Sequence, residues 1–125
     1  MLALGAKGVV SVISHLEGKR IQAMINAYKN GHPKLAQSYH AMLYPLFSHV
    51  SMHDTQNGDD YANPLPIKEA LFQRGLIGSP RATTLGEMSE HAKQELRGIL
   101  AAVEQETRAF DATQAAIHLK HDHLK

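Results

Sequence analysis

The sequence predicts a mostly α-helical fold entered by a single β-strand, and three observations carry that prediction. One β-branched run, Val9-Val10-Ser11-Val12-Ile13, is set off by Gly5 and Gly8 and reads as a short, buried strand of the parallel-sheet kind. Beyond it, apolar residues recur three and four positions apart instead of alternating, which is the helical period. Proline and glycine fall between these periodic stretches and punctuate them. At 125 residues and 43% hydrophobic content, the chain suits one small domain.

The first 20 residues are apolar, but Gly5, Lys7 and Gly8 interrupt them and no charged leader precedes them, so the reading is a strand and not a signal peptide. A strand needs neighbours for its backbone N–H and C=O groups, and no second segment matches this one, so the sheet is expected to be incomplete. Helix one spans Gly18 to Asn30, with Ile21, Met24, Ile25 and Tyr28 on one side and Gly31 as its stop. A second helix starts near Pro33 and aligns Leu35, Tyr39, Met42, Leu43, Leu46 and Phe47; Pro45 kinks or ends it. The segment His53 to Ala62 concentrates Asn, Gly and Asp and predicts a turn-rich loop. Asn63 and Pro64 open a third, shorter helix carrying Ile67, Ala70, Leu71 and Phe72, which stops at Gly75. The last helix begins between Thr83 and Glu90 and carries Leu96, Ile99, Leu100 and Val103; from Gln105 the pattern weakens.

Composition excludes several functions. Thirteen basic against twelve acidic residues give a net charge of +1, with no basic stripe to hold nucleic acid. No apolar run is long enough to predict a membrane span. The chain contains no cysteine, which removes disulfides, thiolate nucleophiles and Cys-type zinc sites and fits a reducing, cytoplasmic setting.

Candidate chemistry is sparse. The acids of the 53–62 loop lack the ordered ligand spacing and closing Glu of a calcium loop. His118, His121 and His123 could ligate a transition metal, yet the spacing fixes no geometry and a solvated helix end accounts for them. His49 and His53 stand one helical turn apart if the second helix reaches them. The carboxylate pairs Asp59-Asp60 and Glu104-Glu106 lack the apolar surroundings that split two pKa values for acid/base work. Gly5-Ala6-Lys7-Gly8 precedes the strand, the wrong side for a phosphate loop. No metal or cofactor is therefore expected. Lys68, framed by Ile67 and Glu69, could be a Schiff-base nucleophile only with a lowered pKa and a proton shuttle; two prolines just ahead make it a first-turn helix residue instead.

Four stretches taken together resemble one family. "LALGAKGVVSV" (Leu2 to Val12) and the helix after it look like the last barrel strand and helix of the dihydrodipicolinate synthase and N-acetylneuraminate lyase family. "HPKLAQSYHAMLYPLF" and "NPLPIKEALFQRGLI" resemble its first C-terminal helix and its Asn-Pro-x-Pro-x-Lys helix, and "RATTLGEMSEHAKQELRGIL" its final loop and helix. The order is unbroken from about residue 2 to 103. The resemblance implies the last β/α unit of a TIM-type (β/α)8 barrel in residues 1–31, the family's C-terminal helical domain in 32–104, and an extra polar, His-rich tail in 105–125.

It further implies an aldol-type reaction in which pyruvate, or another 2-keto acid, forms an imine with a lysine. Lys68 aligns with the Asn-Pro-x-Pro-x-Lys lysine and not with that nucleophile. The family's imine lysine, proton-relay tyrosines and carboxylate-binding arginine belong to earlier strands, so no catalytic residue is expected here. Val10 alone matches a pocket-lining, substrate-binding position. Three readings follow: a C-terminal fragment inactive by itself, a small self-associating helical protein, or one half of a split lyase completed by an N-terminal barrel fragment.

Overall fold

A computed structural model describes residues 1–124. A short 3-10 turn at Leu2–Leu4 leads into residues 6–11, which form neither helix nor sheet. Four helices follow, α1 (Ser14–Lys29), α2 (Pro33–Phe47), α3 (Leu65–Gln73) and α4 (Glu90–His123). Between α2 and α3 lies a minimal antiparallel ladder of β1 (Met52–His53) and β2 (Asp60–Tyr61), pairing Met52 with Tyr61 and His53 with Asp60.

The strand expected over Val9 to Ile13 is therefore not formed. Among the described residues nothing offers it a ladder, and an unpaired extended backbone in water gains no hydrogen bond by becoming a strand. Only its end is used: Ile13 is buried, while Val9 and Val10 stay exposed.

The helices follow the punctuation. Pro33 opens α2, and Pro45 sits in its last turn, two residues before the end at Phe47. Gly31 and Gly75 adopt φ of 82° and 71° just past α1 and α3, backbone that a side chain would strain. Pro64 stands immediately before α3 and Pro66 lies in its first turn. Ser89 caps α4, its side chain accepting from the Ala92 N–H at 3.1 Å. The 53–62 segment, expected as a plain loop, is the β1–β2 hairpin, with Gly58 at φ 76° in its turn.

Two elements depart further from the expectation. α1 begins four residues early and is interrupted at Glu17, whose φ of −130° and ψ of 35° are not helical. The break is held by charge: Glu17 accepts from Arg74 at 3.0 Å and pairs with Arg20 at 3.2 Å, while Arg74 also donates to the Leu16 carbonyl at 3.3 Å. Glu17 and both arginines are largely shielded from water, so this cluster outweighs an ordinary surface pair. Glu17→Ala is expected to cost about 1–2 kcal/mol in urea unfolding, because it removes the acceptor that two guanidinium groups share.

The second departure is α4, which runs unbroken through His123 where a weakening pattern suggested a frayed tail. Thr107 is buried, Phe110 packs on Tyr39 with ring centroids 4.9 Å apart, and Arg20 grips Asp111 through two 2.8 Å hydrogen bonds. The tail's first third is thereby part of the body.

The core is one cluster. Leu43 and Leu46 of α2 meet Leu96, Leu100 and Val103 of α4, with Ile21 and Ile25 of α1 and Leu65, Ile67 and Ala70 of α3 closing the sides. Of the α1 stripe, Ile21 and Ile25 are buried by these helices, and Met24 is partly buried against them.

Candidate functional site

Val10, the expected pocket residue, lies in the unstructured 6–11 stretch and is fully exposed. A pocket needs walls on several sides, and a single segment supplies one. Lys68 stands in the first turn of α3, half-buried, with its Nζ donating to the Arg81 carbonyl. That bond ties α3 to the turn ahead of α4 and spends the ammonium on a structural contact. Among the described residues no carboxylate is hydrogen-bonded to it.

The histidine pairs separate. α2 ends at Phe47, so His49 and His53 do not share a helix: His49 lies 2.6 Å from the Pro45 carbonyl and His53 2.7 Å from Asp60. His118, His121 and His123 project from the solvated end of α4. No group of three or more metal-ligating side chains converges among the described residues. Asp59 and Asp60 are exposed, as are Glu104 and Glu106.

The most organised polar cluster centres on Asp54, a loop acid that sequence reasoning left in solvent. It is completely buried. Its carboxylate accepts from Ser89 Oγ, from His91 Nδ1 at 2.9 Å and from the Gln56 N–H at 2.9 Å. The Ser89 N–H in turn donates to the Tyr61 hydroxyl at 3.1 Å. Hydrogen bonding by Ser89 is the chief cause that draws the Asp54 carboxyl down from the ordinary carboxylate range to about 2, with the Gln56 N–H and His91 adding to it against the opposing effect of burial.

Asp, Ser and His thus meet in space, but in the wrong order for a nucleophile. Ser89 gives its proton to the carboxylate and accepts from Ala92, and no imidazole stands beside its Oγ to act as base. The arrangement staples the β1–β2 hairpin to the start of α4. Its one legible sequence signal was Ser89 followed three residues later by Ala92 at the head of an apolar-periodic run, the position of an N-cap.

A second polar feature is an open groove over the α1 break, lined by Ser14, Glu17, Lys19, Arg20, Ala23 and Tyr39 among others. Its arginine is already committed to Glu17 and Asp111, so the groove offers no free charged pair for acid/base chemistry. No helix among the described residues is long and apolar enough to cross a membrane.

Comparison with known proteins accounts for the helical scaffold. A profile of the dihydrodipicolinate synthetase family matches residues 1–103. The chain is 42% identical over 100 residues to the 4-hydroxy-tetrahydrodipicolinate synthase of Desulforudis audaxviator, covering 80% of this chain and 31% of that protein. It is 49% identical over 86 residues to the synthase of Prochlorococcus marinus MIT 9313, covering 68% of this chain and 26% of that protein. Among solved structures, the synthase of Methylacidiphilum fumariolicum SolV superposes with a TM-score of 0.74 at 31% identity, over 89% of this chain and 34% of that one. The dihydrodipicolinate synthase of Thermotoga maritima gives 0.69 at 28% identity, over 82% and 32%. The chain spans about a third or less of the length of these relatives.

Proposed function

The chain belongs to the dihydrodipicolinate synthetase family, and we propose that it is the last β/α unit and C-terminal helical domain of a pyruvate-dependent Schiff-base lyase, not catalytic by itself. One observation carries the reading. The family match runs in order through residues 1–103, yet the only residue that the resemblance places at the pocket, Val10, stands in solvent.

The chemistry explains why the scaffold alone is silent. An amine attacks the keto carbon of pyruvate, water leaves, and loss of a methyl proton turns the imine into an enamine nucleophile. That sequence needs a desolvated lysine, a proton relay and a cationic clamp on the substrate carboxylate. Lys68 is held by a backbone carbonyl and has none of these about it. In a completed barrel, Val9 to Ile13 would pair with neighbouring strands, and Val10 would present an apolar wall beside the imine carbon. The partner is then an N-terminal barrel fragment supplying the other strands, and the setting is cytoplasmic. No cofactor is called for, because the protonated imine formed with the lysine is itself the electron sink.

The test is to incubate the purified chain with pyruvate, reduce with borohydride and record the intact mass. No adduct is expected on the chain alone. Adding a separately expressed N-terminal barrel fragment of a relative should produce an adduct on that fragment. A stoichiometric adduct on Lys68 would overturn the reading.

A second reading is favoured by one specific observation: the four helices close a continuous core without a barrel, with Leu43 fully buried. A free-standing helical protein that associates with its own kind is consistent with that core. Failure to bind any barrel fragment, together with a stable oligomer, would select it.

A further inference from the structure

α4 is 34 residues long, about 51 Å at 1.5 Å per residue, and its last twelve residues extend past Asp111, which Arg20 of α1 holds. Its inner face is settled: Leu96, Leu100, Val103 and Thr107 are buried. The opposite face is not. Gln105, Ala109, Ala112, Ala116, Leu119 and His123 are all exposed, Leu119 at 62%, and they follow one another at alternating steps of four and three. The apolar ones among them, Ala109, Ala112, Ala116 and Leu119, keep the three-four spacing of a coiled-coil seam on the side opposite the buried face.

The charges beside this seam select its occupant. Glu106 and Lys120 flank it on one side, Arg108 and Asp122 on the other, and all four are exposed. Laid antiparallel to a second α4, with a two-fold axis at the level of Gln114, the seam sets Ala109 against Leu119 and Ala112 against Ala116 of the other copy. The same register places Glu106 opposite Lys120 and Arg108 opposite Asp122, each pair twice by symmetry. Apolar layers and charges therefore agree on one alignment. A parallel pair would instead put Glu106 beside Ala101 and Lys120 beside Ala115, with no opposite charges meeting. The alanines let the two helices approach closely, and the buried face of each α4 is turned away from the other copy. Arg108 now holds Glu104 at 2.7 Å in an exposed pair that is readily exchanged.

We propose that the outer face of α4 is a self-association surface on which a second copy of this chain lies antiparallel. The surface falls outside the stretch matched by the family profile, so it is independent of the lyase reading and of any assembly that the barrel makes. The overlap of residues 105–123 is about 28 Å long, which suits a reversible, concentration-dependent dimer.

The test is sedimentation equilibrium on the full chain from about 1 to 100 µM. The unaltered chain is expected to dimerise. Glu106→Lys and Lys120→Glu should each weaken the dimer at least about tenfold, because each converts two attractive pairs into repulsive ones, and the double exchange should restore it. As a check independent of charge, the cysteine-free chain allows Ala109→Cys and Leu119→Cys to be mixed under mild oxidation. A mixed disulfide dimer is expected in excess over either homodimer. A monomer at every concentration, singles that associate like the unaltered chain, a double exchange without recovery, or homodimers dominating the cross-link would each overturn the proposal. Association through the apolar Val9–Val10 segment would survive both charge reversals and fall in that group.

Discussion

Asp54→Ala is expected to lower the melting temperature by about 10 °C and to detach the hairpin from α4. The carboxylate is completely buried and is the common acceptor for Ser89, His91 and the Gln56 N–H. Removing it takes the common acceptor from three donors, the costly way to break a buried network. Hydrogen exchange should show the Gln56 and Ser89 amides opening first. The pH dependence follows from the sign of the shift. The folded-state pKa lies near 2, below that of the unfolded chain, so the stabilisation is complete above about pH 4 and drains away as pH falls towards 2. Melting curves of the unaltered chain should decline through that window more steeply than those of Asp54→Ala. Equal slopes would show that the carboxylate is not what the network protonates.

Leu43→Ala should cost about 3 kcal/mol in chemical unfolding, measured as a fall in the midpoint at unchanged m-value. Leu43 has no exposed surface, and it sits where α2 meets α4 beneath Ile21 and Ile25. Its neighbours come from separate helices, so the space it leaves cannot collapse without moving a whole element. Leu85→Ala, at an exposed leucine, should change the midpoint little and serves as the matched control. A small effect at Leu43 would mean that the helices are not packed on one another as a unit, and that the domain depends on a barrel for its order.

The helices were legible because their signals are local. Pro33, Gly31 and Gly75 act on their own φ angles, and the apolar stripes of α1 to α4 repeat within a few turns. The expected strand failed for the opposite reason. Val9 to Ile13 has the composition of a buried strand, but a strand is completed by residues far along a chain, and none of the described residues supplies that ladder. The tail of α4 was underread in the same manner. Phe110 and Asp111 do not look like packing residues, and only Tyr39 and Arg20, brought alongside by the fold, give them partners.

The candidate site divides along the same line. Local pattern was enough to put Lys68 in the first turn of a helix. It could not find the Asp54 cluster, whose members lie 35 and 37 residues apart in the chain. What the sequence by itself determined was the set of helices, the stops at Gly31 and Gly75 and the family order of the segments, because backbone propensity and periodicity act between near neighbours. What only the tertiary structure decided was which acid loses water and which apolar run stays in it, because burial belongs to the packing of distant segments and not to any residue alone.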